Sequence, residues 1–136
     1  MDGREAVTAT RIGIAVVEHD GWFLVGTRAN GTVLAGYAEF PGGKCEPDES
    51  PEACAVRECL EESGLAVAPI KLIDQRSWEY PHGRIELWFF LCELSYTADS
   101  EPLPPFRWVH RDELRSLHFP EANAAVLDFI AGDPMS

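Results

Sequence analysis

The sequence lacks a long hydrophobic run, which a helix needs in order to cross a membrane. No stretch approaches the roughly 18 consecutive apolar residues of such a helix. The apolar stretch that follows the charged N-terminal residues, Ile12 to Val17, is too short for the core of a signal peptide. We therefore expect a cytoplasmic protein with no membrane partner.

Basic residues are scarce. Only 11 lysines and arginines oppose 23 acidic residues, which gives a formal net charge of -12. A field of this sign repels a polyphosphate backbone, so no duplex nucleic-acid partner is expected. A nucleotide is also anionic and would need bound cations to approach. The simpler interpretation is that most of these carboxylates only keep the protein soluble.

Paired cysteine motifs, repeats and linkers are absent as well. The four cysteines form no C-x-x-C pair and match no zinc-binding spacing, so reduced, half-buried thiols are expected. No internal repeat or Pro/Ser-rich linker divides the 136 residues. The length is typical of one domain, so we predict a single domain over 1–136.

The order of predicted elements indicates an α+β protein in which helices pack on a mixed sheet. A turn signal at Asp20-Gly21 joins two of the predicted strands as a hairpin. One helix is predicted to begin at Ser50-Pro51 and to end near Ser63, before Gly64. The predicted strands are 10–17, 22–27, 71–80, 84–94 and a short one near 108–109, and further helices are predicted over 112–117 and 121–131.

The helix that begins after Ser50 carries the most informative residues. At about 100° per residue, an apolar stripe of Ala53, Val56, Cys59 and Leu60 is predicted to face the core. Three carboxylates, those of Glu58, Glu61 and Glu62, then fall together on the opposite face. Like charges at these spacings destabilise a helix, so their clustering suggests a bound hard cation such as Mg²⁺ or Mn²⁺. A lone cluster of this kind would more simply be a solvated helix face.

The surrounding residues favour the metal interpretation. Gly42-Gly43 lies shortly before the helix, where backbone can approach a metal or phosphate closely. Together the region matches G-x₅-E-x₇-R-E-U-x-E-E-x-G-U, where U is apolar. Eight of the nine defined positions fit outright, and Cys59 fills the remaining apolar one. The matching residues are Gly43, Glu49, Arg57, Glu58, Cys59, Glu61, Glu62, Gly64 and Leu65.

This pattern resembles the Nudix box, and the chain is similar to Nudix hydrolases. The resemblance implies an α/β/α sandwich with a mixed sheet, and metal-dependent hydrolysis of a nucleoside diphosphate linked to another group. It implies that metal is held by Glu58, Glu61 and Glu62, together with the Gly42 carbonyl. Glu101 is the candidate for a further ligand from a later loop, with Asp99 in reserve. Arg57 would orient its neighbour Glu58, and either Glu58 or Glu61 would serve as the general base.

The similarity extends beyond the box to the MutT-like subfamily, the 8-oxo-dGTP diphosphatases. The resembling stretches are 39–44, 78–81, 87–89 and 119–123. By this resemblance Asn123 reads the base, Arg28 holds the nucleotide, and Glu39 and Phe40 line the same pocket. Stacking on the base is open to Phe40 or to an aromatic residue of strands 71–80 and 84–94, and Lys44 and Arg84 are either phosphate contacts or partners of surface carboxylates.

The chemistry of Asn123 makes that expectation specific. Guanine presents two acceptors, O6 and N7, on its Hoogsteen edge. Oxidation at C8 turns N7 into a donor, and an amide, with one donor and one acceptor, then pairs with the altered edge. Adenine also presents a donor and an acceptor there. The structural alternative is that Asn123 only caps the last helix or sits in its first turn.

The predicted reaction is hydrolysis of 8-oxo-dGTP to 8-oxo-dGMP and pyrophosphate, which removes a damaged precursor before DNA synthesis. A broader or cytidine-directed pyrophosphohydrolase is the first alternative, because the stretch 45–50 is similar to relatives that act on cytidine nucleotides. A non-catalytic nucleotide-binding Nudix domain is the second, although such domains would be expected to lose box carboxylates that this chain keeps. A monomer or a homodimer is expected.

Overall fold

The computed structural model describes residues 9–96 and 101–132. These residues contain seven strands and two α-helices, together with two short 3₁₀ helices at Arg111–Ser116 and Glu121–Asn123. The strands are β1 (Ala9–His19), β2 (Trp22–Thr27), β3 (Ala38–Glu39), β4 (Gly42–Lys44), β5 (Val67–Tyr80), β6 (Gly83–Leu94) and β7 (Arg107–His110). The helices are α1 (Pro51–Ser63) and α2 (Ala124–Ala131). No helix in the described part of the chain is long and apolar enough to span a membrane.

The strands form a mixed sheet in the order β3-β2-β1-β6-β5. β1 runs parallel to β6, and the other pairs are antiparallel. β4 adds to β1, and β7 adds to β2. β5 is an edge strand with two irregularities in its register against β6, at Pro69/Lys71 and at Leu72/Asp74.

Alternating side chains of the sheet build a core on each of its two faces. Along β1, Ala15 and Val17 pack with Ala55 and Cys59 of α1, whereas Val16 packs on the other face with the α2 cluster. This alternation is the two-residue period of a strand. The two helices therefore cover opposite faces, and the predicted α/β/α sandwich with a mixed sheet is confirmed.

Short sequence patterns predicted the β1–β2 turn and the bounds of α1 correctly. Asp20 and Gly21 both have positive φ, 52° and 88°, as a two-residue hairpin turn requires. α1 begins and ends as predicted. The Ser50 hydroxyl accepts a hydrogen bond from the Ala53 N–H, and Gly64 takes the left-handed conformation.

Other bounds differ from the prediction. Gly42–Lys44, which is not among the predicted strands, forms β4, and Gly13 and Gly43 face each other across the β1–β4 pair. β5 begins at Val67, four residues earlier than predicted. The last two helical segments differ too: 111–116 is a 3₁₀ helix, and α2 begins only at Ala124 after a 3₁₀ turn.

The predicted orientation of α1 is wrong. Its fully buried residues are Cys54, Ala55, Cys59 and Ser63, whereas Leu60 is 50% exposed. The packed arc is therefore rotated around the helix and includes the positions of Glu58 and Glu62. Close approach of β1 and β4 causes this rotation, because those strands offer α1 glycines instead of bulky apolar side chains.

Candidate active site

Two glycines let α1 lie directly on the sheet. A Cβ added at Gly13 of β1 would lie 2.9 Å from the Ala55 amide nitrogen of α1. A Cβ added at Gly43 of β4 would lie 2.6 Å from a carboxylate oxygen of Glu58. Real Cβ atoms do not approach so closely, so the fold requires glycine at Gly13, where the contact is with backbone, whereas a Cβ at Gly43 would displace the Glu58 carboxylate. The space beside Gly43 is taken by the Glu58 carboxylate.

Arg57 organises the carboxylates around the start of the helix. Its Nε and Nη2 donate to the two oxygens of Glu49 at 2.7 and 2.9 Å, a bidentate pair. Nη1 donates to Glu58 at 3.1 Å and to Glu61 at 3.2 Å. Nη2 also donates to the carbonyl of Lys44 at 3.2 Å. One guanidinium thus connects β4, the loop before α1 and the helix itself.

The electrostatics of this network follow from its geometry. Hydrogen bonds from Arg57, and then from the Glu46 backbone N–H, lower the pKa of Glu49 to about 2. The same carboxylates, Glu49 foremost, raise the pKa of Arg57 above its usual value. Both groups are therefore charged at neutral pH. Glu49, which the sequence pattern identified without assigning it a role, holds Arg57 in place.

Glu62 faces the other side of β4. Its Oε1 accepts a hydrogen bond from the Gly42 N–H at 3.2 Å. Glu62 keeps contact with solvent, yet burial of its carboxylate raises its pKa to about 7, and the carboxylates of Glu58 and Glu39 act in the same direction. The hydrogen bond from Gly42 opposes this shift only in part. Negative charge is therefore concentrated beside Gly42.

The three helix glutamates do not form one cluster opposite the core, as the sequence had suggested. Glu58 and Glu62 face β4, while Glu61 is exposed and bound to Arg57. Across residues 9–96 and 101–132, no three His, Cys, Asp or Glu side chains converge closely enough to hold a metal ion.

Glu101 is exposed, on a loop fixed to the C-terminal end of α1 by a 2.9 Å hydrogen bond from the Leu103 N–H to the Ser63 carbonyl. Its role as a metal ligand remains a prediction, and Asp99 lies outside the described residues.

A cavity of about 210 Å³ opens beside Gly42, on the face of the sheet that α2 covers. All four predicted substrate-binding residues, Arg28, Glu39, Phe40 and Asn123, line it, and so does Gly42. Gly42 is therefore shared between the cavity and the acidic side of α1. The remaining lining residues, which sequence reasoning missed, are Ile12, Ile14, Ala38, Leu87 and Pro120.

Asn123 ends the cavity with an unpaired amide. Its side chain is only 8% exposed and makes no hydrogen bond to any described residue. It stands at the N-cap position of α2 but does not cap the helix, because no side-chain cap hydrogen bond forms. Capping by the side chain is thus wrong, although Asn123 does lie at the start of the helix. The largely buried amide is left to pair with a ligand.

The opposite side of the cavity combines an ion pair with an aromatic stack. Arg28 Nη1 donates to Glu39 Oε1 at 3.1 Å, and its Nε donates to the Val33 carbonyl at 2.7 Å. Burial raises the pKa of Glu39 although Arg28 opposes the shift. Phe40 stacks on Phe119 with ring centroids 5.0 Å apart. These contacts hold both faces of the cavity before any ligand enters.

The structure also decides between the roles predicted for Arg84 and for the aromatic residues of β6. Arg84 pairs with Glu86 at 3.1 Å, so it is bound to a surface carboxylate. Phe89 is fully buried in the α2-side core, and Trp88 and Phe90 belong to the α1-side core. None of these three lines the cavity, whose aromatic lining residue is Phe40.

The chain belongs to the Nudix family, because the NUDIX domain profile matches residues 13–129. The 8-oxo-dGTP diphosphatase of Escherichia coli K12 is 35% identical over 120 residues, 85% of this chain and 90% of that protein. The CTP pyrophosphohydrolase of the same strain is 47% identical over 51 residues, 38% of each chain. The solution structure of the E. coli ORF135 protein matches with a TM-score of 0.72 and 25% identity over 96% of both chains.

These similarities agree with the geometry of the site. The protein is a Nudix hydrolase with the family's fold and a MutT-like sequence, and its substrate class is the nucleotides. Nudix hydrolases generally need divalent metal ions.

Proposed function

We propose that this enzyme hydrolyses 8-oxo-dGTP to 8-oxo-dGMP and pyrophosphate, and so cleans the cytoplasmic nucleotide pool. The unpaired, buried amide of Asn123 carries the proposal. A cavity of about 210 Å³ is smaller than the sites of roughly 300–1,000 Å³ that enclose a whole drug-sized ligand. It therefore suits the base, while the triphosphate extends outward.

Asn123 selects the oxidised base by its hydrogen-bonding pattern. The amide oxygen accepts from the N7–H that oxidation creates, and the amide nitrogen donates to O6. Unmodified guanine offers an acceptor at N7 and leaves the amide oxygen unpaired. A buried polar group left unpaired costs about 1–3 kcal/mol, so the undamaged nucleotide is disfavoured.

The shared position of Gly42 sets the direction of the phosphates. With the base beside Asn123 and Phe40, the nucleotide leaves the cavity past Gly42 and reaches Glu58 and Glu62. Arg28 lies on this cavity wall and is placed to contact the nucleotide. The acidic helix alone would repel the phosphates, so divalent cations must lie between them.

The types of ligand present suit Mg²⁺, with Mn²⁺ as a substitute, but the carboxylates would have to reorient to bind the ion together, because no three of them converge among the described residues. Carboxylate oxygens are the ligands that these hard cations prefer, and Glu62, whose pKa is raised by burial and then by the carboxylates of Glu58 and Glu39, lies among other acidic groups. Glu58, Glu61, Glu62 and the Gly42 carbonyl would hold the metal, and Glu101 would add a ligand from its loop. When bound, the metal neutralises phosphate charge and makes a coordinated water more acidic.

Arg57 prepares the carboxylates for this chemistry. It contacts Glu58 and Glu61, and one of the two accepts the proton of the attacking water. Because Arg57 is itself held by Glu49, the carboxylates are positioned before substrate binds. Arg57 is a positioning residue in this proposal.

The test compares kcat/KM for 8-oxo-dGTP and dGTP with Mg²⁺ in the wild type and in Asn123→Ala. We expect a strong preference for 8-oxo-dGTP in the wild type and its reduction by about 10- to 100-fold in the variant, the rate equivalent of losing 1–3 kcal/mol. Asn30→Ala, an exposed asparagine, is the matched control. If Asn123→Ala prefers 8-oxo-dGTP over dGTP as strongly as the wild type does, Asn123 does not read the base.

A second candidate is hydrolysis of cytidine triphosphates, which the 47% identity to the CTP pyrophosphohydrolase over 51 residues favours. CTP belongs in the same assay for this reason. Turnover of CTP at a higher kcat/KM than 8-oxo-dGTP would replace the first proposal with the second.

A further inference from the structure

Two cysteines face each other where β4 meets α1. The Cys45 N–H donates to the Arg11 carbonyl at 2.8 Å, which continues the β1–β4 pairing by one residue. Alternation along a strand puts Cys45 on the same face as Gly43, the face that Glu58 covers. Cys54 lies one helical turn before Glu58 and is therefore placed over Cys45.

The contacts of the two thiols agree with this placement. Cys54 Sγ donates to the Gly43 carbonyl at 3.1 Å, and, after burial, the nearby Cys45 thiol is a further cause of the raised pKa of Cys54. Cys54 is fully buried and Cys45 is half-buried. Burial raises the pKa of the Cys54 thiol to about 12, so Cys54 stays protonated at neutral pH. Cys45 is the member of the pair that solvent reaches.

The other two cysteines, Cys59 and Cys92, are internal controls for the Cys45–Cys54 pair. Cys59 and Cys92 have no exposed surface and lie in the α1-side core. The Cys59 thiol lies 3.6 Å from the Ser63 hydroxyl, and the Cys92 thiol donates to the Phe90 carbonyl at 3.6 Å. A water-borne oxidant has no path to either in the folded protein.

We propose that Cys45 and Cys54 form a redox modification site, at which a peroxide converts the two thiols into an intramolecular disulfide. The Cys45 thiolate attacks the peroxide O–O bond and becomes a sulfenic acid, and the peroxide leaves as water or alcohol. The Cys54 sulfur then attacks the Cys45 sulfur. The hydroxyl leaves with the Cys54 proton as water, so two thiols are oxidised and one peroxide is reduced.

The disulfide would act on the catalytic network. The loop that it closes contains Glu49, the bidentate partner of Arg57. Cys54 Sγ also lies 3.9 Å from Arg57 Nη2 and would leave both this contact and the Gly43 carbonyl on forming the new bond. Oxidation is thus expected to lower turnover reversibly. This consequence for turnover depends on the proposed function, whereas the formation of the bond does not.

The experiment treats the full-length, folded protein with hydrogen peroxide and measures intact mass, thiol number after denaturation and a peptide map. We expect a mass loss of about 2 Da, because a disulfide removes two hydrogen atoms. The map should join the peptides of Cys45 and Cys54, and dithiothreitol should reverse the change. Thiol labelling should find Cys59 and Cys92 still reduced.

Two variants make the result decisive. Cys45→Ser should show no disulfide and keep its turnover under peroxide. Cys54→Ala should leave Cys45 without a partner, so that oxygen atoms are added to Cys45 and no disulfide forms. If wild-type Cys45 gains oxygen without a cross-link, or if the link joins other cysteines, the proposed site is wrong. A disulfide that leaves turnover of any nucleotide unchanged would contradict only the regulatory consequence.

Discussion

Arg57 binds Glu49 through two hydrogen bonds of 2.7 and 2.9 Å, although the two residues lie on different segments, a loop and a helix. The bidentate pair fixes the plane of the guanidinium. Its third nitrogen then points at Glu58 and Glu61. The orientation of the helix carboxylates therefore depends on a residue outside the helix.

Replacing Arg57 by glutamine should lower kcat by about 10- to 100-fold, the usual effect of losing a residue that orients metal ligands. Steady-state kinetics with Mg²⁺ measures the effect, and circular dichroism checks the fold. Arg111→Gln, which breaks an exposed pair with Glu18, is the matched control and should retain full activity. An equal loss in both variants would mean that Arg57 has no special role.

Glu49 should make the protein sensitive to acid. Its pKa is about 2 in the folded protein and 4.5 ordinarily, so its ionised form stabilises the fold. That contribution is fully present above pH 4.5 and is lost as the pH falls towards about 2. The stability difference between wild type and Glu49→Gln should shrink over this window in urea unfolding. Glu46 is an exposed neighbour, and the stability difference between the wild type and Glu46→Gln should not shrink over this pH window.

Two glycine substitutions should separate stability from activity. Gly13→Ala brings a Cβ against the backbone of α1, which cannot move freely, so a loss of about 1–3 kcal/mol in the free energy of unfolding is expected. Gly43→Ala meets only the end of the Glu58 side chain, so it should keep its stability and lose kcat. Thermal unfolding and kinetics on both variants check this contrast, which a fully active Gly43→Ala would refute.

Removal of divalent metal should stop turnover and leave the fold intact. Arg57 holds Glu49, Glu58 and Glu61 together by ion pairs, so chelation by EDTA should not change the unfolding temperature. Added Mg²⁺ should restore activity. Glu62→Gln should impair this recovery, whereas Glu52→Gln, an exposed glutamate on the same helix, should not. Unfolding on chelation would show instead that the metal has a structural role.

The sequence predicted those features that neighbouring residues determine. The bounds of α1 follow from a hydroxyl cap at Ser50, a proline at the first position and a left-handed glycine at the end, all of them local. The hairpin at Asp20-Gly21 is of the same kind. The Nudix box identified Arg57 and Glu58 because its spacing is fixed within one loop and helix.

Features that depend on distant contacts were missed. Leu60 is exposed and Glu58 faces the packed side because β4, brought by pairing with β1, approaches α1 there. The cavity floor combines Ile12 and Ile14 of β1 with Leu87 of β6. Those strands are parallel neighbours far apart in the chain, so no local pattern could place their side chains together.

The two register irregularities of β5 have a consequence for solubility. β5 is a 14-residue edge strand, and Ile70, Leu72, Trp78 and Tyr80 are its exposed large apolar residues. A straight, apolar edge of this length invites strand pairing between molecules. Bulges twist the edge, and a twisted edge fits a second chain poorly. The interruptions at 69–71 and 72–74 thus protect the protein from edge-to-edge aggregation while β5 remains long enough to complete the sheet.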